Sequence, residues 1–236
     1  MKSALLCLIL LTAQSAPEVE ITAEPTHHLT LENKSVRVFN VEVPPHAETL
    51  IHWHRHDYVF VTLGATEIVN SVKDKPPVTL KLQDGETRFS PAAFAHSVRD
   101  VADSPFRNVT IEILEDATLR NSTAKWNATN NEDRALDILP GGTQQILFVK
   151  DGIRTSEFEL QPGAAVPMHR TGPHLLVAIN DLDLGEKSRA QSQGTLPRPA
   201  LLTMKSGDSK WLPARDSETI TNVGKDPAKF VTLEFP

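Results

Sequence analysis

Three histidines at alternate positions, His52, His54 and His56, with Asp57 directly after them, are the residues here whose types and spacing could do chemistry. On an extended strand residues i, i+2 and i+4 share a face, so the three imidazoles would point the same way. A buried imidazole needs hydrogen bonds or a metal to offset its lost hydration. Neutral imidazole is also the commonest transition-metal ligand. The stretch therefore reads as a metal site, against the plainer alternative of an exposed His-rich loop. Other chemistries lack their marks: there is no Gly-x-Ser-x-Gly turn, glycine-rich phosphate loop or dinucleotide fingerprint.

The elements that would position these residues are strands. Val36, Val38, Val41 and Val43 sit in β-branched surroundings, and Tyr58-Val-Phe-Val-Thr-Leu63 is a run suited to a buried strand. Asn108-Val-Thr-Ile-Glu-Ile113 and Phe230-Val-Thr-Leu-Glu-Phe235 alternate polar with apolar residues. No segment carries a sustained helical stripe, and 17 scattered prolines suit many short strands better than long helices. The expected class is all-β. At 236 residues the chain can form one large β domain or two smaller ones, each with a real core. A net charge of −6 and a pI near 5.8 argue against nucleic acid as a partner.

Residues 1–15 carry one positive charge, an apolar run and then small residues, with Ala13-Gln-Ser15 as a cleavage triplet. They read as a secretory signal, too short in its apolar run to span a bilayer, so the expected location is secreted or periplasmic, off the membrane once the signal is removed. Cys7 lies in that run and is the only cysteine, so the processed chain has neither disulfides nor thiolates. Any metal must then be held by His, Asp or Glu.

The chain repeats itself. Glu42-Val-Pro-Pro-His-Ala-Glu-Thr-Leu-Ile-His52 matches Glu159-Leu-Gln-Pro-Gly-Ala-Ala-Val-Pro-Met-His169 at an offset of 117, which also sets Asp57 against His174. Beyond an insertion between about 182 and 199 the offset becomes 122, pairing Gly85 with Gly207, Pro91 with Pro213 and Asn108–Ile113 with Phe230–Phe235. One change of offset over so long a span indicates tandem duplication. The polar stretch from Glu115 to Asp133 separates the copies. The expected domains are 24–115 and 144–236, joined by a linker over 116–143.

Each copy also resembles a cupin domain, whose motifs are G-x5-H-x-H-x3,4-E-x6-G and G-x5-P-x-G-x2-H-x3-N. In the first copy His52, Asp57 and Gly64 keep the spacing of the first motif, and Gly85, Pro91, His96 and Asp100 that of the second, with Ala93 in its glycine slot. In the second copy His169 and His174, then Gly207, Pro213, Glu218 and Asn222, take the matching places. The resemblance implies two tandem cupin-type double-stranded β-helix (jelly-roll) barrels. The first motif histidine is missing from both copies, where Leu50 and Pro167 stand. What remains is His52, Asp57 and His96 in one barrel and His169, His174 and Glu218 in the other.

Two histidines and a carboxylate leave positions open to water or substrate. Iron, manganese, nickel and zinc all suit such a set. His54 and His56 either substitute for the missing histidine, through the pair His52-x-His54, or act as acid–base groups at the barrel mouth; solvation in a loop is the plain alternative. In the second copy Glu218 could instead pair with Arg170 or Arg215, leaving that barrel a structural role. Trp53 is expected to pack on the opposite strand face, and His27 and His28 to be solvated. The expected function is a metal-dependent enzyme acting on a small oxygen-bearing molecule, dioxygenase-like first and isomerase or decarboxylase next, possible as a homodimer. The competing reading is a non-catalytic exported protein that binds a ligand or metal.

Overall fold

The structure, a computed structural model, describes residues 17–114, 136–188 and 200–236, with backbone alone over 167–171, 186–188, 200 and 215–218. The signal reading and the heart of the linker reading lie outside the described residues. Every regular element described is a strand except one 3₁₀ turn at Ile21–Ala23. The all-β expectation holds.

The strands form two barrels, each a pair of facing sheets. In the first barrel one sheet runs β1 (Glu18–Glu20), β4 (Ile51–His54), β9 (Phe94–Asp100), β6 (Thr66–Val72), β7 (Val78–Leu82). Its partner runs β2 (His27–Glu32), β3 (Val36–Val43), β10 (Phe106–Ile113), β5 (Tyr58–Leu63), β8 (Thr87–Ser90). The second barrel repeats the order, except that β1 has no counterpart there and one edge strand is added. One sheet is β11 (Leu136–Leu139), β12 (Gly142–Lys150), β13 (Ile153–Leu160), β20 (Ala228–Glu234), β15 (His174–Ala178), β18 (Ser209–Leu212). The other is β14 (Ala165–Thr171), β19 (Arg215–Asn222), β16 (Leu182–Ser188), β17 (Ala200–Met204). The strands start earlier than the domain boundaries read from sequence: β1 precedes residue 24, and β11 lies inside 116–143.

The two barrels share a wall. Val36, Val38, Val59, Val61, Val109 and Ile111 of the first pack in one buried cluster with Ile153, Leu175, Val177, Val231, Leu233 and Phe235 of the second. Sheet β2-β3-β10-β5-β8 is therefore covered on both faces, which is why Tyr58–Leu63 is so continuously apolar. Alternate residues of the same strands, such as Phe39 and Val41, turn inward to the first barrel's own core with Ile68, Leu82, Val98 and Phe106.

The ladders correct one pairing between the copies. Arg37 and Tyr58 lie opposite Glu112, and Arg154 and His174 lie opposite Glu234. The counterpart of His174 is thus Tyr58, not Asp57. The shift is already present on β14, where Met168 rather than His169 lies opposite Glu218 as His52 lies opposite His96, and sequence alignment without a gap cannot see it. The same ladders expose a pair that motif spacing did not flag. Arg37 and Arg154 each form an ion pair with the buried glutamate opposite, Glu112 and Glu234.

Several motif positions prove to be scaffolding. Gly85 and Gly207 have φ of +77° and +90°, the left-handed region in which a Cβ is strained. Ala93, in a glycine slot, takes φ +70° despite its methyl group. Asp100 accepts N–H bonds from Ala102 and Phe106, and Asn222 clamps its own turn through Leu160 O, Asp226 O and Gly224 N–H.

Candidate metal centre

β4 is the strand that carries the site, and it is short. It ends at His54, so the alternation places His52 and His54 on the inner face and stops before His56. Trp53 points outward, where its indole N–H donates to Glu18 and the Arg55 guanidinium lies 4.4 Å from its ring centroid. The neighbouring strand β9 pairs antiparallel with β4 and sets His96 directly opposite His52. Residues directly opposite in such a ladder share a face. His52, His54 and His96 are all buried, and each offers a nitrogen within 4.8 Å of the others.

Hydrogen bonds decide which nitrogens face inward. In its neutral form His52 donates Nδ1–H to Leu50 O at 2.9 Å, leaving Nε2 an acceptor with no partner although it is buried. His96 likewise donates Nδ1–H to Asn70 Oδ1 at 2.7 Å, so its Nε2 is also an acceptor. His54 brings Nε2 to 3.0 Å from His96 Nε2 and packs against Tyr58 and Phe94, with ring centroids 4.1 and 5.4 Å away. Backbone and amide oxygens that hold the outer nitrogen of an imidazole are the usual support of a metal ligand. Two nitrogens on one metal, with bonds of about 2.1 Å at roughly a right angle, lie about 3 Å apart. The three residues fit a divalent transition metal.

Burial sets the charge state. It pushes His52 down to about 4, helped by the neighbouring His27 and opposed by the bond to Leu50. It pushes His54 and His96 further down, with added repulsion from the imidazoles around them. All three are neutral at neutral pH, the form that binds metal. Tyr58 is raised to about 12 by burial and stays a phenol there, hydrogen-bonded with Ser90.

The other residues singled out from the sequence fall elsewhere. Asp57 is outside the cluster: its Oδ1 accepts the Ala92 N–H at 2.7 Å and ties the β4–β5 turn to the turn before β9. The carboxylate that motif spacing assigned to the metal therefore braces a turn. His56 stands in the same β4–β5 turn and is not among the residues that line the cavity. His54, expected as an acid–base group or as the replacement for the missing histidine, stands in the second position. In the second barrel the ladder pairs His169 with Ser217 and Met168 with Glu218, so His169 and Glu218 are not opposite one another as His52 and His96 are. Their side chains lie outside the described residues. His174 is buried and donates Nδ1–H to Gly172 O at 3.1 Å.

A cavity of about 70 Å³ opens beside the three imidazoles, walled by Val41, Val43, Tyr58, Phe60, Ile68, Leu80, Val98 and Phe106 with Asn70, Asn108 and Thr110. His27 lines it too, contrary to the expectation that it is solvated; its side chain is 6% exposed and its ring centroid is 4.6 Å from that of His52. Glu24 holds it, with Oε2 2.7 Å from His27 Nδ1. Burial, the largest influence on Glu24, pushes its carboxyl up, but bonds from His27 and Thr26 outweigh it and bring the group down to about 2. Asn70, Glu24 and His27 were missed because their roles follow from register: His27 sits opposite Val41, whose inward direction only the folded barrel fixes.

An all-β chain of two barrels, with imidazoles gathered inside the first, has the architecture of a double-cupin protein. No family model and no curated protein matches it in sequence. Solved structures do match in fold. A variant of oxalate decarboxylase OxdC from Bacillus subtilis superposes with a TM-score of 0.59 at 11% identity, covering 91% of this chain and 76% of that one. Vicilin from Capsicum annuum gives 0.63 at 12%, covering 86% and 76%, and AerE from Microcystis aeruginosa gives 0.57 at 12%, covering 90% and 98%. At such identities the likeness concerns the fold: two tandem cupin-type jelly-roll barrels. For the Bacillus decarboxylase, Mn(II) centres are described.

Proposed function

We propose that this protein is a metal-dependent enzyme whose first barrel holds one divalent cation on His52, His54 and His96 beside a small-molecule pocket. The observation that carries this reading is the set of three buried imidazoles, two of which turn acceptor nitrogens inward from oxygens that hold their other nitrogens. The Mn(II) centres of a protein of similar fold support manganese as the first metal to try. When bound, the cation would supply a Lewis acid for a carbonyl or enolate oxygen. The chain's own part is to exclude water with Phe60, Phe106 and Val98, to keep the imidazoles neutral by burial, and to fix their rings with Leu50 O, Asn70, Tyr58 and Phe94. Export rests on residues 1–15 alone, and a homodimer is carried forward as part of the same proposal.

Elemental analysis of the purified protein tests the centre. About one equivalent of metal is expected in the wild type, and a near-complete loss in His52→Ala, His54→Ala and His96→Ala. Metal content that none of the three variants changes would remove the site from consideration. Oxygen uptake or decarboxylation of candidate substrates by the loaded wild type then separates an enzyme from a binding protein.

A further inference from the structure

The cavity beside the imidazoles lies between two facing sheets, and both walls carry polar side chains. His52, His54 and His96 stand on β4 and β9 of one sheet. Asn108 and Thr110 stand on β10 of the other, at alternate positions that share its inner face. Asn108 is 5% exposed, and its Oδ1 accepts the Thr110 hydroxyl at 2.7 Å. A hydroxyl both donates and accepts, so it can hold either end of the amide, and one end is left over in each case. Among the described residues nothing bonds to that end. Directly across the ladder, the buried Thr62 hydroxyl has no partner either.

Packing does not require an amide at this position. The second barrel forms the same ladder with Phe230 and Ala178, both buried and apolar. A buried polar atom left unpaired costs stability, and a hydrogen-bonding ligand removes that cost. Elsewhere the cavity lining is largely apolar, with Phe60, Ile68, Val98 and Phe106 among its residues. The volume of about 70 Å³ is under half of the roughly 150 Å³ that holds benzene, which suits a molecule of about three to five non-hydrogen atoms.

We propose, resting on the metal-centre reading above, that Asn108 contacts the substrate and hydrogen-bonds a polar group of it from the wall opposite His52, His54 and His96. The substrate is then a molecule of that size with two functions: an oxygen directed at the metal and a second polar group held by the amide. Thr110 is the positioning residue that fixes the amide.

The test uses the full protein, metal-free and loaded with Zn(II), with its Asn108→Leu, Asn108→Phe and Thr110→Val variants. The probes are hydroxyacetone and butanone. Both are uncharged and carry a carbonyl, and a hydroxyl in the first stands where the second has a methyl group. NMR titration gives the ratio of their affinities, beside metal content and a melting curve. Expected are unchanged metal content throughout and a preference for hydroxyacetone in the wild type. The ratio should fall about fivefold in Asn108→Leu and by less in Thr110→Val, and Asn108→Phe should bind neither probe. A ratio in Asn108→Leu equal to that of the wild type overturns the proposal. If Asn108→Leu alone unfolds, the ratio in Thr110→Val decides in the same way. Failure of the wild type to bind either probe also overturns it, as does unfolding of both variants, which makes the amide structural. A wild type that takes up no metal overturns the metal reading alone, since the ratio is still read on the metal-free protein.

Discussion

Apart from β1 and β11 the two barrels have the same strand order and the same buried Arg–Glu pair, but their interiors differ. Val41 and Asn108 line the cavity of the first barrel, and their ladder counterparts in the second are Phe158 and Phe230. Those two rings stack at 5.0 Å in a core with Leu160, Leu176, Leu184, Leu202, Met204 and Ile220. Two large side chains thus occupy the places of a valine and an asparagine that line the cavity of the first barrel. The two copies keep the same scaffold, and among the described residues the second carries larger apolar side chains where the first has its cavity. The comparison also bears on the proposed metal: imidazoles meet across a ladder in the first barrel, whereas His169 and Glu218 are out of register in the second.

That contrast can be broken most directly by metal content. His169→Ala should leave the metal of the wild type in place, while His96→Ala should empty the protein, by elemental analysis. A second equivalent that His169→Ala removes would make the barrels functional equals. Stability should separate them next. Phe158→Ala and Phe230→Ala each leave a cavity in a packed core and should cost ~3–5 kcal/mol by urea denaturation, against ~1–2 kcal/mol for Val41→Ala beside space that already exists. Similar losses at Phe158 and Val41 would mean that both interiors are filled alike.

Protonation should mark the first barrel as well. His52 is lowered by burial to about 4 in the folded protein, against about 6.5 in an unfolded chain. Between those values the unfolded state binds the proton and the folded state does not, so stability rises with pH across this window and falls as the pH drops from 6.5 to 4. For the metal-stripped protein the loss from this residue is on the order of 3 kcal/mol. Urea midpoints at pH 7 and pH 4.5 check it, and His52→Phe should flatten part of the difference. A pH response that survives that replacement unchanged would place its origin in groups other than His52, such as the more strongly lowered His54 and His96.

The smallest effect should come from Asp57→Ala. It removes the bond to the Ala92 N–H and should cost about 1 kcal/mol, with metal content unaltered. Loss of metal in this variant would return Asp57 to the ligand set that motif spacing gave it and take the site away from His54.

Much of this protein was legible in its residues. The β class followed from period-2 patterns and β-branched runs, and the duplication from two constant offsets. His52 and His96 followed from motif spacing. These are local or self-similar signals, and a linear chain displays them in full. The third imidazole, the brace made by Asp57, the counterpart of His174 and the Glu24–His27 pair were not legible in the same way. Each depends on where a strand ends or on which residue it lies opposite. Because side chains alternate along a strand, a shift of one position reverses the face, and only the closed hydrogen-bonded ladders fix that position. The sequence by itself determined two β barrels with imidazoles on one strand of the first. Tertiary structure decided which imidazoles meet, because His54 is the last residue of β4 and His56 falls in the turn beyond it.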